Sequence, residues 1–217
     1  MTKLSLFYPF FPGFLFSFLY AIMKCENNDD FDSKEEVNTM SEIMTHSHKM
    51  FDPLHPDVTL IDIADIAHAL SMLCRANGHF KSFYSVGQHC INCAKEAKMR
   101  GYSEFVQLAC LLHDASEAYL SDVTRPVKAE LPRYVEIEEP LQDCIWEKFL
   151  NRPLTKEEYD RVFEIDDAIL AHEFIHLMGA AIFDPTPAIA SEPEFAFTGF
   201  NQCQQDFLTI FQELTAK

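Results

Sequence analysis

The hydrophobic positions of the chain recur every three or four residues over most of its length, which is the spacing of amphipathic helices. This pattern predicts helices that are separated by stop signals such as Asn77-Gly78 and Gly101. Their predicted ranges are 62–76, 85–100, 104–120, 132–149, 155–178 and 201–214. Glycine is scarce, with 6 in 217 residues, and no strand is predicted. The predicted fold class is therefore all-α, with a single helical domain.

Hydroxyl side chains mark the starts of several predicted helices. Ser85 and Ser103 precede the second and third helices, where a side-chain oxygen can accept a hydrogen bond from a backbone N–H of the first turn. Thr155 and Glu158 have the spacing of a capping box before the fifth helix. These signals fix the starts of three helices independently of the hydrophobic pattern.

The N-terminal part of the chain differs from the helical part in composition. Residues 4–23 are uncharged, which is compatible with a membrane span, a signal peptide or an extension that folding does not need. Pro9 and Pro12 interrupt this apolar stretch and no small-residue cleavage motif follows, so the three interpretations remain open. We divide the chain into an apolar segment at 1–25, an acidic linker at 26–49 and a folded domain at 50–217.

The net charge and the cysteines indicate which binding partners and which cellular compartment to expect. A formal net charge of -17 repels a nucleic acid backbone, so we expect no duplex nucleic acid partner. The 7 cysteines are odd in number and mostly lie in apolar helical patterns, which indicates reduced thiols in a cytoplasmic protein. Cys90 and Cys93 are interpreted in the same way, as two core thiols on one helical face.

Candidate metal ligands lie on three of the predicted helices. His113 and Asp114 end an apolar stretch, and two ionisable groups at such a place need a partner, for which a metal ion is suited. His89 lies in the second predicted helix, and the adjacent Asp166 and Asp167 lie in the fifth. Adjacent helical side chains point about 100° apart, so one carboxylate can face the core. A mixed nitrogen and oxygen set suits a divalent ion with open coordination positions.

Three ordered blocks of this sequence resemble the HD-domain superfamily of phosphohydrolases, whose pattern is H…HD…D. They read DIADIAHALSMLCRANGHFKSFYSVGQH, LACLLHDASEAYLSDVTRPVK and EIDDAIL. The likeness spans roughly 50–215 and is strongest to a bacterial and phage group of small HD hydrolases. Phage dATP triphosphohydrolases belong to that group, and bacterial 5′-deoxyribonucleotidases are more distant relatives. The resemblance implies an HD-domain helical bundle.

The resemblance also implies roles for individual residues. It assigns one divalent ion (Mn, Co, Zn, Fe or Mg) to four ligands, with Asp167 as the rival for the last of them. Glu117 would orient or deprotonate the attacking water, Asp122 would lie near the leaving group, and Arg75 would hold phosphate, with Lys128 as a second candidate. The implied ligands are His89, His113, Asp114 and Asp166.

The implied activity is metal-dependent hydrolysis of a deoxynucleoside mono- or triphosphate, and the resemblance is compatible with a homodimer. Two alternatives remain beside it. The sequence HEFIH at 172–176 matches the H-E-x-x-H motif of zinc peptidases, with Glu173 as base and Glu192 or Glu194 as a third ligand. We interpret it as a chance match, so Glu173 is expected to be dispensable. The other alternative is a non-catalytic regulator that keeps the HD fold.

Overall fold

A computed structural model describes residues 41–216, and these residues form a helical domain with one small hairpin. The described residues are mostly helical, as the predicted all-α fold class requires. The strands are β1 (Ile43–Met44) and β2 (Met50–Phe51). The α-helices are α1 (Ile63–Met72), α2 (Val86–Met99), α3 (Glu104–Leu111), α4 (Glu117–Leu120), α5 (Arg125–Lys128), α6 (Pro132–Leu150), α7 (Lys156–Glu173) and α8 (Phe200–Thr215). A 3₁₀-helix at Arg75–Gly78 follows α1, and a π-helix at Phe174–Met178 continues α7.

The predicted caps are present. Ser85 accepts a hydrogen bond from the backbone N–H of Gln88, and Ser103 accepts one from Val106. Thr155 and Glu158 form the reciprocal pair of a capping box at the start of α7. Asp62 caps α1 through the backbone N–H of Ala64.

The third predicted helix, 104–120, is wrong as a single element. It ends at Leu111, passes through a turn and resumes as α4. Gln142 of α6 stabilises this break, because its Oε1 accepts from the Ser116 N–H and its Nε2 donates to the Leu112 carbonyl. A side chain from another helix thus satisfies backbone groups that a continuous helix would have paired. The first predicted helix, 62–76, also ends early, at Met72, and gives way to the 3₁₀-helix.

Within the described residues, contacts with the helical domain begin before the predicted boundary at residue 50. Ile43 pairs with Phe51 across the antiparallel hairpin. Ser47 donates to Asp65 from its backbone N–H at 2.6 Å and from its hydroxyl at 2.7 Å. These contacts fix the end of the predicted linker 26–49 to α1. The apolar segment 1–25 and the rest of the linker lie outside the described residues.

The core surrounds α2, which packs against α1, α3, α7 and α8. Gly87 permits the close approach of α2 to α1, since a Cβ at this position would lie 3.2 Å from the Leu70 carbonyl oxygen and 3.0 Å from the Cys203 Sγ. None of the helices within 41–216 combines the length and apolar character needed to cross a membrane. The central position of α2 matters for the site, because α2 carries His89.

The proline-rich loop after α7 is held to α2 by one buried carboxylate. Glu96 accepts hydrogen bonds from the backbone N–H groups of Ala190 and Ser191 and from the Ser191 hydroxyl. Arg100 donates to the same carboxylate at 2.7 Å. Burial alone would raise the pKa of Glu96, but these hydrogen bonds outweigh burial and lower its pKa. The loop therefore depends on the ionised form of Glu96.

Candidate metal site and cavity

Four side chains from separate parts of the chain converge at one point. His89 is on α2, His113 and Asp114 lie in the turn after α3, and Asp166 is on α7. The Nε2 atom of His89 lies 3.2 Å from Nε2 of His113, 3.0 Å from Oδ1 of Asp166 and 3.8 Å from Oδ2 of Asp114. The His113 Nε2 atom lies 3.3 Å from Asp114 and 3.8 Å from Asp166. The structure thus brings together all four of the ligands that the resemblance implies.

The chemistry and spacing of these donors fit a divalent metal ion. Two ligands that each bind a metal at about 2.1 Å lie about 3.0–3.5 Å apart, close to the separations observed here. Both histidines also have Nδ1 held by an acceptor. His89 Nδ1 donates to Glu173 at 2.6 Å, and His113 Nδ1 donates to the Cys110 carbonyl at 2.7 Å. Each imidazole therefore presents Nε2 to the same point, as metal-binding histidines do.

The electrostatics favour positive charge at this point. Burial lowers the pKa of His113, but Asp114 and Asp166 outweigh it and raise the pKa well above its ordinary value. Burial would raise the pKa of Asp166, yet its hydrogen bonds with His113 and His89 hold the pKa well below the usual range. The carboxylates thus stabilise a cation between them, whether it is a proton or a metal ion.

Arg75 lies against the same carboxylates. Its guanidinium donates to Asp114 at 3.1 Å, to Asp166 at 3.4 Å and to Glu173 at 3.0 Å. Three of its five N–H groups are sufficient for these contacts, which leaves two donors for a ligand. Arg75 also lines the adjoining cavity, so the predicted phosphate-binding residue lies beside the predicted metal ligands.

Glu173 is a site residue that the sequence interpretation missed. It is fully buried, and its two oxygens contact His89 and Arg75. A signal was present, because residues seven apart lie on one face of a helix and Glu173 follows Asp166 by seven. The sequence interpretation considered Glu173 only as the base of the HEFIH motif. These contacts give Glu173 a place in the cluster that the interpretation of HEFIH as a chance match did not predict.

The zinc peptidase alternative lacks its base in this arrangement. His172 Nε2 donates to the Pro187 carbonyl at 3.0 Å, and the His176 ring stacks on Phe195 with centroids 4.6 Å apart. Glu173 is occupied in the buried cluster and cannot serve a metal between these two histidines. Glu194 accepts from the backbone N–H of Ala196 in the proline-rich loop. The geometry argues against a peptidase site at 172–176.

Two cysteines lie directly beneath the cluster. Cys93 with His89 and His113, and Cys90 with His113 and Asp114, form two further groups whose ligand atoms lie within 4.8 Å of one another. Both thiols are buried, as predicted. Burial raises the pKa of the Cys90 thiol to about 11 and that of Cys93 well above its ordinary value. Since a metal binds the thiolate, the imidazoles and carboxylates are the better ligands near neutral pH.

A cavity of about 730 Å³ opens from this cluster. This volume lies within the usual range for small-molecule sites. Seven of the eight predicted site residues line it, and the eighth, His89, lies behind His113. The seven are Arg75, His113, Asp114, Glu117, Asp122, Lys128 and Asp166.

Glu117 has an unusual environment in the cavity wall. It is buried, and its Oε2 atom has no hydrogen-bond partner within the described part of the chain. Burial is the main cause of a pKa well above its ordinary value, and Asp114 and Asp122 add to the shift. Asp122 itself accepts from the backbone N–H of Ala76 at 3.3 Å, and Lys128 donates to Glu138 at 2.7 Å. Glu117 is therefore the wall carboxyl group best placed to exchange a proton with a ligand.

Arg125 is a second residue that the sequence interpretation did not single out. It lines the cavity and donates to Asp166 and to Asp167, each at 2.5 Å. Asp166 thus faces the cluster, while Asp167 is half-exposed and pairs with Arg125. The structure places Asp166, the first choice from the sequence, among the candidate ligands.

Backbone strain is concentrated beside this site. Ala76, next to Arg75, has φ +54°, and Ser121, next to Asp122, has φ +81°. Residues other than glycine adopt such angles at a cost, and strained residues occur often at functional sites. The strain supports the view that the wall of the cavity is shaped for a ligand.

Comparison with known proteins adds relatives without a stated activity. The chain is 41% identical over 112 residues to the uncharacterized protein YfdR of Escherichia coli K12, a match covering 51% of this chain and 59% of YfdR. It is 38% identical over 109 residues to the uncharacterized protein RCAP_rcc00048 of Rhodobacter capsulatus, covering 48% of this chain and 55% of that protein. The matches thus span somewhat more than half the length of these relatives. No protein-family profile matches the chain.

Proposed function

We propose that the protein is a metal-dependent phosphohydrolase that acts on a nucleotide, a deoxynucleoside mono- or triphosphate. The observation that carries the proposal is the paired arrangement of His89 and His113. Each Nδ1 is fixed by a buried acceptor, and each Nε2 faces Asp114 and Asp166. This arrangement and the resemblance to the H…HD…D pattern point to the same four ligands.

A divalent ion held by these four residues would supply a Lewis acid for a phosphoryl oxygen. The two remaining N–H donors of Arg75 would bind phosphate oxygens, and its planar fork suits that geometry. Lys128 and Arg125 add positive charge along the cavity wall. Together with a divalent ion, these side chains would supply the positive charge that an anionic substrate requires in a chain whose net charge is -17.

Proton transfer in this proposal falls to Glu117. Its side chain lies in the cavity wall, and Oε2 is buried and unpaired within 41–216, so a rotation of the carboxyl group would let it give a proton to a water molecule there or accept one. Asp122 lies in the same wall, beside the backbone of Ala76, where it would face the leaving group. The roles of both residues are those that the resemblance implies.

The test is a panel of nucleotides incubated with the purified chain and with Asp114→Asn, each supplied with Mn, Co, Zn, Fe or Mg. Phosphate, pyrophosphate and triphosphate are separated as products, because they distinguish a monophosphatase from a triphosphohydrolase. We expect one of these products from the unaltered chain and a loss of activity in Asp114→Asn. A chain that binds nucleotide without releasing any product would instead support the non-catalytic regulator.

A further inference from the structure

The cavity that the metal ligands border also has an aromatic wall. Trp146 of α6 packs edge to face against Tyr159 of α7, with ring centroids 6.1 Å apart. The ring centroid of Tyr159 lies 4.4 Å from that of Phe163, one helical turn further along α7. All three rings line the cavity. Tyr159 and Phe163 are 44% and 42% exposed, so both offer ring surface to a ligand.

The indole N–H of Trp146 is a second notable feature of this wall. Its side chain is nine-tenths buried, and its Nε1–H has no hydrogen-bond acceptor among residues 41–216. Buried donors are almost always paired, because an unpaired one loses its hydration without compensation. Trp146 lines the cavity, and its Nε1 is closed to water in this arrangement, so a ligand that shifts the neighbouring side chains would supply the missing acceptor. The ligand group must be flat, to lie against the rings, and must carry an acceptor at its edge.

We propose that Trp146, Tyr159 and Phe163 form the subsite for a nucleobase. A base stacks on aromatic side chains, and its ring nitrogens and carbonyl oxygens are acceptors for an N–H donor. Arg75 and Lys128 line the same cavity, and Arg75 contacts the proposed metal ligands Asp114 and Asp166. One cavity thus provides an ionic region and an aromatic region, which matches the two ends of a nucleotide. This inference rests on the proposed function and deepens it.

The subsite predicts that the base, and not only the phosphate, contributes to recognition. Stacking and one hydrogen bond together should favour a nucleotide over its base-free sugar phosphate by about ten- to a hundredfold in kcat/KM. Trp146→Phe keeps an aromatic ring, although a smaller one, and removes the N–H, so KM for a nucleotide should rise about tenfold. The kcat/KM for 2-deoxyribose 5-phosphate should not change in this variant.

The chain contains a single tryptophan, so its fluorescence reports directly on the proposed subsite. The full-length chain is titrated with a deoxynucleoside monophosphate, with the corresponding nucleoside and with 2-deoxyribose 5-phosphate. We expect a saturable change of Trp146 emission with the first two and none with the third. Tyr159→Leu should weaken this binding, whereas Tyr102→Leu is the matched control, because Tyr102 packs against Arg161 outside the cavity.

The outcomes separate this inference from the proposed function. Equal hydrolysis of a nucleotide and of 2-deoxyribose 5-phosphate, with no change in emission, would overturn the base subsite and leave a phosphohydrolase. Saturable quenching by a nucleoside without any phosphate release would support the subsite and remove the proposed activity. The fluorescence arm uses the unaltered chain, so it decides the matter even if Trp146→Phe fails to fold.

Discussion

Glu173 Oε1 lies 2.6 Å from Nδ1 of His89, and both side chains are fully buried. The contact fixes the ring so that Nε2 faces Asp166 at 3.0 Å. A carboxylate behind a histidine in this way orients the ring and increases the basicity of the other nitrogen. Glu173 is therefore a positioning residue for the proposed metal ligand.

Glu173→Gln should weaken metal affinity by about 10–100-fold, because the amide lacks the charge that supports His89. Activity should recover in part at high metal concentration, which a simple folding defect would not allow. The measurement is a metal titration of activity. Glu157→Gln on the exposed face of α7 is the matched control, and an equal loss in both variants would refute the positioning role.

Substitutions of the two adjacent aspartates of α7 should differ sharply in their effect on metal binding. Asp166→Asn removes a proposed ligand and should abolish metal binding, whereas Asp167→Asn removes only a contact with Arg125 and should largely preserve it. Elemental analysis of both purified variants provides the comparison. Metal retained in Asp166→Asn and lost in Asp167→Asn would reassign the ligand.

Substitution of Glu117 should slow the chemical step of the reaction without changing the metal content of the protein. Glu117→Gln removes the proposed proton carrier, so kcat should fall by roughly 10²–10⁴-fold, the range for general acid–base catalysis. The metal content should persist, and the free energy of unfolding should not fall, because Oε2 lacks a hydrogen-bond partner in the described chain. Normal turnover by this variant would shift the role to Asp122.

The attachment of the proline-rich loop should depend on pH through Glu96. The folded-state pKa of Glu96 is lowered, so its stabilising contribution is present above the unfolded-state pKa of about 4.3 and is lost as pH falls through the folded value. At neutral pH, Glu96→Gln should reduce the free energy of unfolding by about 2 kcal/mol. Denaturant unfolding at a series of pH values measures both effects. A stability difference that does not shrink in acid would contradict this account.

Much of the fold follows from local sequence signals. The caps at Ser85, Ser103 and Thr155 are side-chain to backbone contacts within one turn, so the sequence predicts them directly. The break after Leu111 could not be predicted in this way, because Gln142, which stabilises it, belongs to another helix 30 residues from Leu112. The hairpin at 43–51 escaped prediction for the same reason, since it depends on contacts with α1.

The candidate site also contains residues that the sequence could predict and residues that it could not. His89, His113, Asp114 and Asp166 could be selected from residue type and spacing together with the resemblance, and the structure brings them together. The contacts of Glu173 and Arg125 depend on which way their helices face. The aromatic wall depends on α6 and α7 meeting beside the cavity, so single-helix patterns do not indicate it.

The central claim is that the His–Asp cluster holds one divalent ion that phosphate release requires. The most direct test measures metal content and nucleotide hydrolysis in a single preparation before chelation, after chelation and after the metal is restored. We predict about one ion per chain, loss of both ion and activity on chelation, and recovery of both on restoration. Asp166→Asn treated in parallel should show neither. Full activity in a preparation that contains no metal would contradict the claim.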